Sequence, residues 1–292
     1  MPFVTTEIDS QPASWRRAVE LAATPAAAAA LPRAGARVAV VGCGTSLFMA
    51  QSAAALREAA GLGETDAFAA SEFPASRRYD HVVALTRSGT TTEVVRLLAA
   101  LPATVRSTAV TTAADLPAAR QAGASVVLDF ADERSVVQTR FATTALALWR
   151  AHLGHDLSAA IADAAAEPEP APELIGLAQQ VFLGTGWTVG LAHEAALKLR
   201  EAARCWSESY PAMEFRHGPV SVLDERSAVW FFGPAPTGLA EEVGRTGARV
   251  VRSDADPMAQ LVGVQRLAVA IAQRKGLDPD APRHLSRAIV LP

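Results

Sequence analysis

The chain has 292 residues, half of them hydrophobic and a fifth charged, with 27 basic against 30 acidic residues for a net charge of −3. That length admits two domains or one large α/β domain, each with its own core, and excludes a small stapled fold. With no block of five or more like charges the chain has no basic field for nucleic acid or anionic lipid, so an anionic ligand must be held locally.

The N-terminus, MPFVTTEIDSQP, has no basic region followed by an apolar stretch, and no later segment approaches the ~18 apolar residues that span a bilayer, so a cytoplasmic protein with no membrane partner is expected. The residues before the first strand are too few for a helix-turn-helix module, and no nucleic-acid partner is expected. The alanine runs Ala26–Ala30 and Ala53–Ala55 favour helix and carry no functional message. Val38–Val41 reads as a buried strand and runs into Val41-Gly42-Cys43-Gly44-Thr45-Ser46, whose glycines permit close backbone approach at a helix start. A simple N-cap would account for this motif taken alone. A second strand, Val82–Leu85, opens into Leu85-Thr86-Arg87-Ser88-Gly89-Thr90-Thr91-Thr92-Glu93, followed by strands at Ser107–Thr112 and Ser125–Phe130 and a long helix ending near Trp149.

His152, His155 and Asp156 come next and lack a third strong ligand, so no metal site is read there, and no cofactor is expected. Cys43 and Cys205 make no metal-ligand spacing and suit a reducing compartment. The three prolines of Glu167–Pro172 can continue neither a helix nor a central strand. They predict an interdomain linker over 156–172, between a first domain at 1–155, which includes an N-terminal helix, and a second at 173–292. Strands are predicted beyond it at Val181–Leu183, Ala228–Phe232 and Arg249–Val251, then a helix at Pro257–Arg274.

The restart is also a repeat. The segment from Ala39, AVVGCGTSLFMAQSAAALREAAG, aligns with VFLGTGWTVGLAHEAALKLREAA from Val181, placing Gly42-x-Gly44 on Gly184-x-Gly186 and matching the LREAA endings with one insertion. Internal duplication is the better account, and the fold class is α/β: two similar halves, each a parallel flavodoxin-like sheet flanked by helices.

The segment Thr86–Thr92 packs five hydroxyl side chains, a glycine and an arginine into seven residues after a strand. One hydroxyl would suffice for a cap. Several, with backbone N–H groups at adjacent strand ends, suit a phosphate monoester. The pattern lacks the Gly-Lys-Ser/Thr ending of a Walker loop and the third glycine of a dinucleotide fingerprint.

CGTS together with TRSGTTTE resembles the phosphosugar-binding SIS (sugar isomerase) domain, and the second half resembles the isomerase portion of glucosamine-6-phosphate synthase. Further matches are Ser71-Glu72-Phe73, Glu133–Phe141 (ERSVVQTRF), His193–Glu201 (HEAALKLRE), Glu208–Pro219 and Asp278–Ser286. No counterpart of the synthase's glutaminase domain is found. The resemblance implies that Thr45, Ser46, Thr86, Arg87, Ser88 and Thr91 cradle a sugar phosphate, that Val136 and Gln138 approach the sugar, and that Glu201 moves a proton between C1 and C2 with Lys198 beside it. It further implies that His217 opens the sugar ring in the neighbouring subunit's site, hence a homodimer with composite sites. Where the synthase tail carries a Schiff-base lysine this chain has Arg287, which cannot act as an amine nucleophile and is left as a contact to the sugar.

The chemistry also stands on the residues. Aldose–ketose interconversion needs a base at an acidic C–H beside a carbonyl, and a buried carboxylate can supply it. Glu201 follows Glu194 by seven residues on the predicted helix, so both point roughly the same way. His217 lies in the turn-prone Arg216-His217-Gly218-Pro219, where an imidazole of near-neutral pKa suits ring opening. The expected function is a phosphosugar aldose–ketose isomerase or isomerising deaminase of a hexose or hexosamine 6-phosphate. The alternatives are a fructosamine-6-phosphate-type deglycase and a non-catalytic sugar-phosphate sensor.

Overall fold

The computed structural model describes Pro2–Pro292. Strands β1 (Val38–Gly42), β2 (Thr65–Ala69), β3 (His81–Leu85), β4 (Arg106–Thr111) and β5 (Ala124–Val127) form a parallel sheet in the order β2-β1-β3-β4-β5. Strands β6 (Gln179–Gly184), β7 (Ser207–Pro211), β8 (Ser227–Phe232) and β9 (Arg249–Val251) form a second, in the order β7-β6-β8-β9. The second order repeats the first without its fifth strand. Strands β1 and β3 are buried along their whole length, as strands covered by helices on both faces must be. The α/β class and the two parallel sheets agree with the sequence reading, which lacks the two edge strands β2 and β7.

The repeated glycines have a steric cause. A Cβ on Gly42 would lie 2.5 Å from the backbone carbon of Ser46, and one on Gly184 would strike the backbone of Thr188. Each sheet thus feeds a helix that starts too close to its strand for any side chain at that position.

The chain divides into two compact units. One comprises Ser10–Glu133, Gln138–Leu157 and Ser286–Pro292; the other comprises the chain up to Asp9, Arg134–Val137 and Ser158–Leu285. Part of the stretch expected to be a linker, Ser158–Ala166, is helical and belongs to the second unit. The helix Phe3–Asp9 also lies with that unit, because Asp280 accepts hydrogen bonds from Phe3 N at 2.6 Å and Val4 N at 2.8 Å. In the first unit Ala39, Val41, Val82, Ala84, Val94 and Leu98 form a core cluster, and the Trp15 indole donates to Thr143 Oγ1 at 3.0 Å, joining helices Gln11–Ala22 and Arg140–His152. In the second, Val181, Leu183, Phe215, Val229, Phe231 and Leu239 do the same work.

His81, buried at the start of β3, reports on the first core. Thr108 Oγ1 donates to Ala30 O, so the 2.9 Å contact between Thr108 Oγ1 and His81 Nε2 requires the imidazole to be the donor. Burial, reinforced by the positive charges of Arg106, Arg57 and His152, pushes its pKa from 6.5 down to about 4. The unfolded chain therefore takes up this proton first, and stability falls as pH drops from about 6.5 towards 4, with a slope of about 1.4 kcal/mol per pH unit over that window. His81→Gln, which keeps a donor for Thr108, should flatten that limb; urea melts at about pH 7 and about pH 5 measure it, and an unchanged slope would count against the assignment.

Candidate active site

Strand β1 pairs with β2 on one side and β3 on the other, so the connection reverses direction across the sheet between β1 and β3, which is where open α/β sheets bind ligands. The CGTS and TRSGTTTE segments both leave the carboxyl ends of these two strands. The helices that follow, Thr45–Ala59 and Thr92–Ala100, have Gly44 and Thr91 as their N-cap residues, and neither caps with a side chain. Within the second loop Thr86 Oγ1 accepts from Gly89 N at 3.2 Å, and Ser88 Oγ accepts from Thr90 N at 3.2 Å while lying 3.4 Å from Thr91 Oγ1. Thr45, Ser46 and Thr86 are buried and Ser88 and Thr91 half-buried. The hydroxyls of this set on the β3 loop therefore shape the loop rather than capping its helix.

Arg87, expected beside the phosphate, lies buried among protein partners. Its guanidinium is 2% exposed, stands 3.8 Å from Glu133 Oε2 and donates to Arg287 O at 3.0 Å. Glu133 Oε1 in turn accepts from Thr139 N at 2.6 Å, Thr139 Oγ1 at 2.8 Å and Arg140 N at 2.7 Å, and so caps helix Arg140–His152. The positive charge of Arg87 thus faces the Glu133 carboxylate inside the protein. Glu133 is the residue of this site to which sequence reasoning assigns no role, although it opens the ERSVVQTRF match. Arg287 donates to Glu133 O at 2.5 Å and pairs with Asp132. Its tail continues over the second loop, where Thr92 N donates to Ile289 O at 3.1 Å and Leu291 N to Thr92 Oγ1 at 2.8 Å. The carboxamide oxygen of Gln138 is buried and has no hydrogen-bond partner among the described residues. Burial raises the Cys43 pKa, so this thiol stays protonated at neutral pH.

The second constellation sits in the other unit, on helix Thr188–Ala203. Lys198 Nζ lies 3.3 Å from Glu194 Oε1 and 2.5 Å from Glu201 Oε2. The side chains of Glu194 and Lys198 are 0% and 1% exposed, that of Glu201 19%, so Glu201 is the member of the chain of charges that meets solvent. Burial works to lower the Lys198 pKa, and the charges of Glu194 and Glu201 with their hydrogen bonds outweigh it, holding the ammonium above its ordinary value. Lys198 is therefore a fixed cation at neutral pH. Lys275, the other lysine, donates to Ala203 O at 2.9 Å at the end of this helix and to Cys205 Sγ at 3.2 Å.

His217 ends the short 3-10 helix Glu214–His217, which is anchored by the fully buried Phe215 and by Arg216, whose guanidinium makes two bonds to the Glu242 carboxylate at 2.8 and 2.9 Å. The imidazole itself is exposed, with no hydrogen bond or ion pair among the described residues. Val136 donates its N–H to Asp280 O at 3.0 Å. His152 is committed to Pro32 O at 2.9 Å. No helix among the described residues is long and apolar enough to cross a membrane.

No family model matches the chain. It is 26% identical to the isomerising glutamine–fructose-6-phosphate aminotransferase of Sulfurisphaera tokodaii over 87% of its own length and 50% of that protein, and 27% identical to the enzyme of the same name from Pyrobaculum aerophilum over 73% and 44%. The chain is thus similar in sequence to the isomerase (SIS) portion of these enzymes. It spans half or less of the length of the curated relatives it matches. Among solved structures, its α/β fold superposes on a glucosamine-6-phosphate deaminase from Thermotoga maritima with a TM-score of 0.80 at 23% identity, covering 99% of both chains. The tagatose-6-phosphate ketose/aldose isomerase of Escherichia coli gives a TM-score of 0.80 at 20% identity, over 99% of this chain and 96% of that one.

Proposed function

We propose that the chain interconverts an aldose 6-phosphate and a ketose 6-phosphate, with deamination when the sugar carries an amine at C2. The observation that carries this reading is the Glu194–Lys198–Glu201 arrangement: a partly exposed carboxylate held at 2.5 Å by a buried ammonium, which a second buried carboxylate fixes in turn. That is how a base is oriented for one proton. In this mechanism Glu201 removes the C2 proton of the open-chain aldose, the electron pair forms the C1–C2 double bond of an enediol or enolamine, and the C1 oxygen takes up a proton. Return of the first proton to C1, with release of a proton from the C2 hydroxyl or amine, places the carbonyl, or its imine, at C2. Where the C2 substituent is an amine, water hydrolyses the resulting ketimine to ketose and ammonia.

Thr45, Ser46, Thr86, Ser88 and Thr91, with the backbone around them, hold the phosphate, while Arg87 serves the cradle through its tie to Glu133 and the tail. Val136 and Gln138 approach the sugar, the unpartnered oxygen of Gln138 being suited to a sugar hydroxyl. His217, exposed and uncommitted, opens the ring of a sugar held by a second copy of the chain in a homodimer. The route is non-covalent, since Lys198 is held as an ammonium and Arg287 is a guanidinium engaged with Asp132. The deaminase and ketose/aldose isomerase of similar fold support this reading. A sensor would have no use for the positioned carboxylate.

A panel of hexose and hexosamine 6-phosphates, assayed separately for ketose formation and ammonia release, tests the proposal. Turnover of at least one member is expected, with no mass added to the chain when borohydride is present during turnover. Tight binding without turnover across the panel would favour the sensor instead. The cradle has its own test: Ser88→Ala with Thr91→Ala should weaken sugar-phosphate binding at least about tenfold, through lost hydrogen bonds to a charged group, with little change in melting temperature. Unchanged affinity with a lowered melting temperature would make these hydroxyls structural only.

A further inference from the structure

Glu7 is an unusual residue for the short helix Phe3–Asp9, because it is only 4% exposed. A buried carboxylate demands donors, and it finds them on a distant loop. Its Oε1 accepts from Arg134 N at 2.5 Å and Ser135 N at 3.3 Å, and its Oε2 accepts from Ser135 Oγ. Ser135 Oγ also lies 2.8 Å from Val137 O. The same helix is gripped at its start by the Asp280 carboxylate on Phe3 N and Val4 N, and the Asp280 carbonyl accepts from Val136 N at 3.0 Å. The Arg134 guanidinium covers the Phe3 ring at 3.9 Å. Helix, loop and the segment around Asp280 thus form one closed set of bonds inside one compact unit, the unit that also holds Glu194, Lys198 and Glu201.

We infer that Glu7 is a positioning residue: it fixes the backbone of Arg134–Val137, and through it Val136, for contact with the sugar rather than with the phosphate. The inference rests on the proposed function, which assigns Val136 and the following Gln138 to the sugar. An apolar side chain at Glu7 could fill the same space, but it could not dictate the direction of two consecutive loop N–H groups. The bonds are satisfied on every side, the condition under which a buried polar network specifies one conformation. A helix of this length is not stable by itself, so it acts only while both ends of the clasp hold.

The experiment measures two dissociation constants by calorimetry, for sorbitol 6-phosphate, an open-chain hexitol phosphate, and for glycerol 3-phosphate, which offers the phosphate and little else. The wild-type chain should bind the hexitol phosphate more tightly. Glu7→Ala should shrink that preference at least tenfold and leave glycerol 3-phosphate affinity unchanged, a change that a loss of fold stability does not produce. Glu7→Gln should restore the preference, because its carboxamide oxygen can accept both N–H groups while its nitrogen donates to Ser135 Oγ and releases that hydroxyl to Val137 O. Asp280→Ala should act in the same direction, and combining it with Glu7→Ala should add little, as expected of parts of one unit. Should Glu7→Ala fail to fold, Ser135→Ala, which removes the hydroxyl shared between Glu7 and Val137 and keeps both loop N–H bonds to Glu7, should give a partial loss of the preference. A preference unaltered in Glu7→Ala, or in Ser135→Ala if the first is unfolded, overturns the inference and leaves the functional reading intact. A wild-type chain that binds neither ligand overturns both.

Discussion

Glu201→Gln should lower turnover by about 10²–10⁴-fold, the range for loss of a positioned general base, while leaving the affinity for sugar phosphate nearly unchanged. Glutamine keeps the size of the side chain and can still receive the Lys198 hydrogen bond through its carboxamide oxygen, so the helix has little reason to move. The change removes the negative charge and with it the capacity to take up a proton, while the buried Glu194 carboxylate still faces Lys198. Exchange of the C2 proton with solvent, followed by NMR in deuterated water, should disappear with it. Retention of that exchange in Glu201→Gln would move the base elsewhere. Mixing this variant with His217→Ala protomers should restore part of the activity after subunit exchange if His217 serves its partner's site; no recovery, with exchange shown independently, would return both residues to one subunit or remove His217 from the chemistry.

Lys198→Met carries the largest expected cost in stability. The ammonium lies between two carboxylates, of which Glu194 is 0% exposed, and removing it leaves charge buried without compensation. Breaking a buried ion pair from one side typically costs about 3–5 kcal/mol. Chemical denaturation at neutral pH measures it, and a loss below about 1 kcal/mol would mean that the pair is more hydrated than its burial indicates. The pH dependence has a definite sign. Because the folded-state pKa of Lys198 is raised, its stabilisation is fully present below the unfolded lysine value of about 10.4 and is lost as pH climbs through the higher folded value. The wild-type chain should therefore lose stability on the alkaline side of that value along a limb that Lys198→Met lacks. On acidification the defect of the variant should shrink as its uncompensated carboxylates take up protons.

The architecture is legible in the residues wherever burial imposes a pattern on them. Strands β1, β3 and β8 are covered on both faces and read as uninterrupted apolar runs, and the periodicity and proline start of the helix Pro257–Arg274 predict it at its observed bounds. The i, i+4, i+7 spacing of Glu194, Lys198 and Glu201 is enough to place those side chains on one helical face. Strands β2 and β7, with sequences TDAFA and SESYP, escape such a reading because each lies at a sheet edge and is only partly covered, so hydrophobicity leaves no run.

Long-range hydrogen bonds are settled instead by how the elements pack. That Arg87 pairs with Glu133, that the tail Ser286–Pro292 lies with the first unit, and that Glu7 grips Arg134 and Ser135 all depend on residues far apart in the chain. A helix or strand announces itself because its bonds repeat at a fixed interval along the sequence. A carboxylate that finds its donors across the fold has no interval, and its role is set by which buried polar groups are left to be satisfied once the sheets and helices have packed.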